Sequence, residues 1–322
     1  MSTETQQPRC GMKGKSIKSI LRRKVDAWLK SIEVPELKER LEKGVIVTGG
    51  SIASMLLGEP VSDYDLYFRD HNTTLEVAKY YLERFKPKPQ NGVVVPLSIL
   101  DENGRIKIIA KSAGIAGEES GKDYHYFEGR PSAEAGEYVE SVITDPEQIE
   151  ETYEETEQAA LQTEDKKKPY RPVFITSNAI TLSDKVQLII RFHGEPDEIH
   201  ANYDFIHCTN YWKNWDGELV LRPAAMEALL SRTLQYVGSK YPICSLVRLR
   251  KFVSRGWRIN AGQILKMAMQ ISELNLKDFS VLEDQLTGVD TAYFCQLLEK
   301  MREKDPTQVD SAYLVEIIDR IF

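Results

Sequence analysis

Hydrophobic and polar residues follow two different periods along the chain, and these periods predict its elements. Over residues 16–43 apolar side chains recur at helical spacing, which predicts amphipathic helices after a polar, disordered tail of residues 1–13. The apolar run at 45–47 predicts a short buried strand, and residues 52–57 predict one or two turns of helix after it. The first part of the chain therefore alternates helix and strand.

The middle of the chain has the pattern of a sheet with one flanking helix. Residues 71–85 predict a helix, and Asp101-Glu-Asn-Gly104 predicts a hairpin turn between two strands. The predicted strands lie at 93–100, 105–110, 174–182, 185–192 and 199–208. Residues 118–165 interrupt this pattern with 16 acidic and 2 basic residues, which indicates an acidic insertion, partly disordered or helical.

From Arg222 onward the period is helical. Helices are predicted at 223–230, 242–259, 261–273, 289–304 and 308–322. The pattern therefore divides the chain into an N-terminal tail with helices (1–43), a sheet-containing head (44–221) and a helical C-terminal domain (222–322).

A glycine turn followed by paired carboxylates is the strongest chemical signal in the sequence. Gly49, Gly50 and Ser51 end the first predicted strand and begin a helix, an arrangement whose backbone N–H groups can bind phosphate. Asp63 and Asp65 lie one residue apart in the next predicted strand, so their side chains face the same side. Two such carboxylates are suited to Mg²⁺ or Mn²⁺. The pattern predicts a site for a nucleoside triphosphate (NTP) with its metal ions.

A third acidic residue is expected on a neighbouring strand. Asp204 lies between Tyr203 and Phe205 in the predicted strand 199–208, and a buried acid there requires a partner or a metal ion. Asp184 and Asp197 are the alternatives.

The spacing of the glycines and carboxylates resembles the head motif of the polymerase-β-like nucleotidyltransferases. The branch most similar to it contains the bacterial-type CCA-adding enzymes and poly(A) polymerases. The residues that carry the resemblance are Gly49, Gly50, Ile52, Leu56, Leu57, Gly58, Asp63 and Asp65. Ala53-Ser54 departs from the Arg-Asp that is typical of that branch.

The resemblance implies an α+β fold in which a mixed, mostly antiparallel sheet with flanking helices carries the site. It also implies a two-metal transfer of a nucleoside monophosphate to a hydroxyl. Gly49, Gly50 and Ser51 would then hold the triphosphate, and Asp63, Asp65 and Asp204 the metal ions. Asp204 would help to activate the acceptor hydroxyl.

The segment 240–258 has six basic and no acidic residues, in a chain of net charge −7. Helical spacing places Arg248, Lys251 and Arg255 on adjacent turns of one face, which suits the phosphates of a triphosphate or of RNA. The segment also resembles the neck helix of the same enzyme branch, which favours RNA, such as a tRNA-like 3′ end, as acceptor. Arg248 and Arg255 are the expected phosphate-binding cations.

Composition limits the setting and the partners. The acidic total argues against a protein that coats nucleic acid over its whole surface. Cys10, Cys208, Cys244 and Cys295 fit no zinc pattern, and no apolar run has the length of a membrane span, so a reducing cytoplasm and no membrane partner are expected.

The expected function is a metal-dependent nucleotidyltransferase with an RNA acceptor. The alternatives are nucleotidylation of a protein or small molecule, synthesis of a signalling nucleotide, and a non-catalytic binding module. The sequence does not predict the preferred NTP, the acceptor identity or the oligomeric state.

Overall fold

The computed structural model describes residues 11–85, 97–111, 123–124, 126–128, 169–176 and 178–276, and with them Asp278, Val281 and Gln285. The predicted helices at 289–304 and 308–322, residues 1–10 of the predicted tail and most of the acidic segment 118–165 lie outside the described residues.

Except for the short helix at Pro196–His200, the helices agree with the helical periods of the sequence. Their bounds are α1 (Gly14–Lys30), α2 (Pro35–Glu42), α3 (Gly50–Leu57), α4 (His71–Arg84), α5 (Pro196–His200), α6 (Pro223–Ser231), α7 (Pro242–Ser254) and α8 (Ala261–Ser272). Four of them carry proline in the first turn, where the missing N–H removes no helical hydrogen bond. The Asp70 carboxylate caps α4 by accepting the Thr73 N–H at 2.8 Å. The helices expected within 16–43, 52–57, 71–85 and 261–273 are confirmed.

Within the described residues, the strands form one large and two small sheets. Their bounds are β1 (Val45–Thr48), β2 (Tyr64–Phe68), β3 (Leu97–Glu102), β4 (Arg105–Lys111), β5 (Asp123–Tyr124), β6 (Tyr126–Glu128), β7 (Pro172–Thr176), β8 (Ala179–Leu182), β9 (Val186–His193), β10 (Tyr211–Lys213), β11 (Leu219–Val220), β12 (Thr233–Leu234) and β13 (Arg258–Ile259). The large sheet has the order β11-β10-β1-β2-β9-β8-β7-β6.

The large sheet is mixed but mostly antiparallel, as expected. β2 and β9 pair in parallel, whereas its other neighbouring strands pair antiparallel. β1 is buried along its whole length, because the sheet continues on both sides of it and both of its faces are covered.

The two faces of the sheet differ, because alternate residues of each strand point in opposite directions. One face joins a core with α1, α2 and α4, where the Trp28 indole N–H donates to the Tyr81 hydroxyl at 2.8 Å. The opposite face carries Ile46 on β1, Tyr67 on β2 and Ile189 on β9, which pack against Ile199 of α5. The candidate site belongs to this second face.

The hairpin of β3 and β4 turns where the sequence predicts. Glu102 pairs with Arg105, and the two residues between them, Asn103 and Gly104, have φ angles of 51° and 76°. Two successive positive φ angles are typical of a type I′ turn, which matches the twist of the strands.

The predicted strand at 199–208 is wrong. This stretch contains the end of α5, a loop with Asp204 and a 3₁₀ turn at Ile206–Cys208. Pro196 in the first turn and a capping box formed by Glu195 and Glu198 favour the helix over a strand. Of the five predicted sheet segments, this one therefore belongs to the loops that cover the site face.

A second core joins the C-terminal helices to the head. Its residues are Ala53 of α3, Phe205 beside the 3₁₀ turn, and Leu229, Leu234, Tyr236, Trp257 and Met267 of the C-terminal part. The helices α6 to α8 thus pack directly on the elements that carry the glycine turn and Asp204. None of the helices described is both long and apolar enough to cross a membrane.

Candidate functional site

The glycine turn joins β1 to α3. Gly49 has φ 98° and ψ −151°, and its N–H donates to the Cys208 carbonyl at 3.2 Å. This N–H is therefore already engaged, and the N–H groups of the first turn of α3, beginning at Gly50, are the ones that can reach a phosphate.

The Asp65 carboxylate lies against the backbone of this turn. A Cβ atom built on Gly49 would be 2.8 Å from Asp65 Oδ2 and 3.5 Å from the Tyr203 hydroxyl, whereas one built on Gly50 meets nothing within 4 Å. Gly49 thus permits the close approach of a carboxylate, and Gly50 borders open space at the start of α3.

Ser51 adds an unsatisfied donor at the same helix end. Its side chain is buried, with a relative exposure of 2 %, and its Oγ has no hydrogen-bond partner among the described residues. A buried hydroxyl without a partner costs about 1–3 kcal/mol. A bound phosphate oxygen would provide that partner.

Asp63 and Asp65 have the same orientation but different burial. Asp63 directly precedes β2 and is exposed, and Asp65 lies within β2 and is half-buried. Alternation along the strand directs both carboxylates, and Tyr67 after them, to the site face. Asp63 therefore stands at the outer rim of the site and Asp65 further inside.

The neighbouring strands add polar groups that the sequence analysis missed. Asp65 is in register with Gln187 of β9, whose amide N–H donates to Thr181 Oγ1 of β8 at 3.5 Å. Gln187 stands between the apolar Val186 and Leu188. A polar residue within an apolar strand is the feature of the sequence that could have identified Gln187 as a site residue.

Two tyrosines on this face are joined by their hydroxyls, the buried Tyr67 and the half-buried Tyr203. The Tyr203 hydroxyl donates to the Tyr67 hydroxyl at 3.1 Å. Burial, with the negative charge of Asp65 as a further cause, raises the pKa of Tyr67, and burial with the Tyr67 and Asp65 charges raises that of Tyr203. Both phenols therefore stay neutral and serve as hydrogen-bonding groups.

His200 is a buried, neutral histidine that contacts Thr48 of β1. The Thr48 hydroxyl donates to the Asn210 carbonyl at 2.9 Å, so the His200 Nε2–H, 2.8 Å away, must donate to Thr48. Burial is the main cause that lowers the pKa of His200 to about 3, and the Arg222 cation adds to it. The imidazole is neutral and holds β1 to α5.

Asp204 lies in the loop after α5 and is engaged at both oxygens. Oδ1 accepts the Phe205 N–H at 3.0 Å, and Oδ2 pairs with Arg248 Nη1 of α7 at 2.6 Å. The Asp204 side chain is 13 % exposed and that of Arg248 25 %. Asp204 is thus a mostly buried carboxylate with a cationic partner.

The charges of Asp65, Asp204 and Arg248 all act on the thiol of Cys208. Burial raises the pKa of Cys208 most strongly, the charges of Asp204 and Asp65 raise it further, and Arg248 opposes them. The same Arg248 charge also acts on the Tyr67 phenol. The structure therefore brings Asp65, Asp204 and Arg248 into one electrostatic environment.

The other predicted residues lie further out. Arg255 is exposed at the C-terminal end of α7, seven residues or about 10 Å along the helix from Arg248. Asp184 lies in the turn before β9, where its carboxylate accepts the Tyr170 N–H at 3.2 Å. Asp197 is exposed and pairs with Arg222. Neither alternative acid has the setting of Asp204.

The donor set fits a metal ion that arrives with phosphates. Among the residues that the structure describes, no group of three or more His, Cys, Asp or Glu side chains is disposed to hold a metal ion. Mg²⁺ is commonly held by one or two carboxylates together with phosphate oxygens and water, and Asp63 and Asp65 supply two. Binding by all three aspartates stays a prediction, since both oxygens of Asp204 are engaged.

The sequence matches one family, and the fold is similar to known enzymes. The model of the family described as "Gabija anti-defense 2 family protein" matches residues 19–232. None of the curated proteins matches the chain.

The solved structures with similarity include several CCA-adding enzymes. The Thermotoga maritima CCA-adding enzyme complexed with tRNA is 11% identical, with a TM-score of 0.36, and the match covers 86% of this chain and 54% of that enzyme. The Bacillus stearothermophilus CCA-adding enzyme in complex with CTP is 14% identical, with a TM-score of 0.35 and coverages of 91% and 53%. The chain spans about half the length of these enzymes.

Proposed function

This chain belongs to the Gabija anti-defense 2 family, and we propose that it is a metal-dependent nucleotidyltransferase. The proposed reaction transfers a nucleoside monophosphate from an NTP to a hydroxyl and releases pyrophosphate. One observation carries the proposal: the Asp65 carboxylate packs on Gly49 where α3 begins, next to the buried, unpartnered hydroxyl of Ser51. Phosphate donors and a metal-binding carboxylate are thereby adjacent.

Each part of the site has a proposed task. The N–H groups at the start of α3 and the Ser51 hydroxyl bind the triphosphate, with Gly49 and Gly50 leaving room for it. Asp63 and Asp65 hold Mg²⁺ or Mn²⁺, which, when bound, neutralises phosphate charge and makes the acceptor hydroxyl a better nucleophile. Gln187 lies beside Asp65 on the neighbouring strand β9, where it adds a polar group to the site.

Asp204 and Arg248 are proposed to complete the site from the other side. Arg248 binds phosphate oxygens, for which a guanidinium has the matching geometry. Asp204 is the third carboxylate of the site, which assists the metal ions and receives the proton of the acceptor hydroxyl. Arg255 extends the cationic surface along α7 toward the acceptor.

RNA is the acceptor that the charges favour. Lys251 and Arg255 are exposed on α7, in a segment with no acidic residue from 240 to 258. Such a surface suits a phosphate backbone.

The family description names an anti-defense role. We propose that the transfer reaction takes place in the cytoplasm and serves that role. In an acceptor screen, the alternative results are transfer of the nucleotide to a protein, to a small molecule or to a free nucleotide.

The test is a labelling experiment with the purified chain. Each of the four α-labelled NTPs is incubated with Mg²⁺ or Mn²⁺ and either total RNA or total protein, and the labelled product is identified. We expect label on RNA, and a loss of at least about 100-fold in Asp63→Asn and Asp65→Asn, because removal of one metal-binding carboxylate removes transition-state stabilisation.

The matched control is Asp26→Asn, which removes a carboxylate on α1. It should transfer at the wild-type rate. Absence of label on every acceptor class, or full activity in both site variants, would contradict the proposal. Label on protein alone would keep the reaction and replace the acceptor.

A further inference from the structure

Asp204 and Arg248 form an ion pair that connects two parts of the site. Asp204 belongs to the loop after α5, Arg248 belongs to α7, and their side chains meet at 2.6 Å with little exposure to solvent. Ion pairs removed from water interact more strongly than pairs on the surface, and breaking one is costly unless each charge gains a new partner. The pair therefore persists until a competing charge enters the site.

The pairing determines what Asp204 can do. Its second oxygen accepts the Phe205 N–H at 3.0 Å, so both oxygens are engaged while Arg248 faces it. A cation approaching this carboxylate would meet the guanidinium at close range and be repelled. In this arrangement Arg248 neutralises the charge of Asp204 and weakens the attraction of this carboxylate for a cation.

The loop that carries Asp204 also contacts the glycine turn on which Asp65 packs. The Gly49 N–H donates to the Cys208 carbonyl at 3.2 Å, and Ala53 of α3, Phe205 and Leu249 of α7 belong to one hydrophobic cluster. A triphosphate bound between Asp65 and the start of α3 would therefore lie within the electrostatic range of the same guanidinium.

We propose that the triphosphate of the nucleotide competes with Asp204 for Arg248, so that nucleotide binding releases the Asp204 carboxylate for its task. This inference rests on the proposed function. A triphosphate carries several negative charges and presents paired oxygens that a guanidinium binds in a fork. Arg248 is then the counter-ion of Asp204 before binding and of the phosphates after it. Nucleotide binding and the availability of Asp204 are coupled, and such coupling is reciprocal.

The test measures binding, not transfer. Inorganic tripolyphosphate is titrated calorimetrically into the wild type, Asp204→Asn, Arg248→Gln and the double variant, in metal-free buffer. Asp204→Asn keeps an oxygen for the Phe205 N–H but loses the charge that holds Arg248. It should bind tripolyphosphate about tenfold more tightly than the wild type, and Arg248→Gln about tenfold more weakly, as expected when one charge-assisted hydrogen bond is added or removed.

The double variant separates competition from simple repulsion. If Asp204 acts through Arg248, Asp204→Asn has no effect in the Arg248→Gln background, and the double variant binds like Arg248→Gln. If Asp204 merely repels anions, the tightening persists in that background, and the inference is overturned. Arg250→Gln removes an exposed cation from the same helix and should change binding less than Arg248→Gln.

The outcomes also distinguish the inference from the proposed function. If neither tripolyphosphate nor any NTP binds to any variant, there is no nucleotide site and both fail. If they bind but Asp204→Asn does not tighten binding, the inference alone fails. Thermal unfolding checks each variant, and Asp204→Ser, whose hydroxyl can still accept the Phe205 N–H, replaces an unstable Asp204→Asn.

Discussion

At the scale of single residues, the site depends on how closely a carboxylate approaches a backbone turn. Gly49 has backbone angles of 98° and −151°, a region that is essentially limited to glycine. Asp65 Oδ2 occupies the space where a larger residue would place its Cβ. The identity of residue 49 therefore controls the backbone of the turn and the position of the Asp65 carboxylate together.

Gly49→Ala should disturb both stability and chemistry. Strain in this region costs about 1–3 kcal/mol, and the new methyl group displaces the Asp65 carboxylate. We expect a lower free energy of unfolding in urea and a loss of nucleotide transfer. Gly50→Ala is the control for stability, because its Cβ meets nothing within 4 Å and alanine favours the helix. Equal unfolding free energies for the two variants would contradict this account.

At the scale of elements, the 3₁₀ turn at Ile206–Cys208 lies between α5 and β10 and packs against α7. His207 is buried in this turn, with its ring centroid 4.7 Å from that of Phe252 and 4.3 Å from that of Trp257. Burial lowers the pKa of His207 to about 4, although the charge of Asp204 opposes the shift. The packing between the head and α7 therefore requires a neutral imidazole.

This requirement predicts a pH dependence of stability. An unfolded histidine has a pKa of about 6.5, so between pH 6.5 and about 4 the unfolded chain binds a proton that the folded chain does not. The free energy of unfolding should therefore fall with decreasing pH, by about 2 kcal/mol from this group at pH 5. His207→Phe should remove that part of the loss. Urea unfolding at pH 7.5 and pH 5 measures it, and an unchanged loss in the variant would refute it.

The exposed cations of α7 should act as a unit on RNA. Lys251→Gln combined with Arg255→Gln should weaken binding and lower the slope of log K against log salt by about 0.7 for each phosphate of single-stranded RNA that is no longer bound. Filter binding at several salt concentrations measures the slope. Arg23→Gln with Lys30→Gln removes the same charge from α1 and should leave the slope unchanged. Similar slopes for both pairs would show that α7 has no special part in binding.

At the scale of the complete chain, the large sheet and the cores on its two sides support the site. The core between the sheet and α1, α2 and α4 supports one face, and the core around Phe205 joins α3 to the C-terminal helices. The acidic segment begins near an edge of the large sheet, because β6 is its last strand and pairs antiparallel with β7, with Glu128 opposite Phe174. Glu128 and Phe174 are therefore adjacent, so the chain leaves the sheet and returns to it on neighbouring strands.

Replacement of residues 131–165 by a short Gly-Ser linker should leave the fold intact. The deletion keeps β5 and β6, whereas deletion of the whole predicted insertion, 118–165, also removes these strands and should lower the melting temperature. Circular dichroism and thermal unfolding compare the two deletion variants with the full chain. A large loss of stability in the shorter deletion would show that 131–165 contributes to a core.

Local sequence was sufficient to predict the elements around the glycine turn. The apolar run of β1, the helix that starts at Gly50, and the alternation that turns Asp63 and Asp65 to one face depend on neighbouring residues only, so they could be predicted. The strand β9 was predictable for the same reason. The stretch 199–208 was not, because its aromatic and apolar residues suggest a strand, whereas Pro196 and the Glu195–Glu198 capping box start a helix just before it.

Only the tertiary structure shows which groups that are distant in sequence come into contact. Asp204 pairs with Arg248 across 44 residues, and Gln187 comes beside Asp65 through a parallel strand pairing. No spacing in the sequence encodes these contacts, because they depend on how the sheet orders its strands and on where α7 packs. For the same reason the sequence could nominate Asp204 as an acid of the site, whereas its engagement by a cation depends on the packing of α7 against the loop after α5.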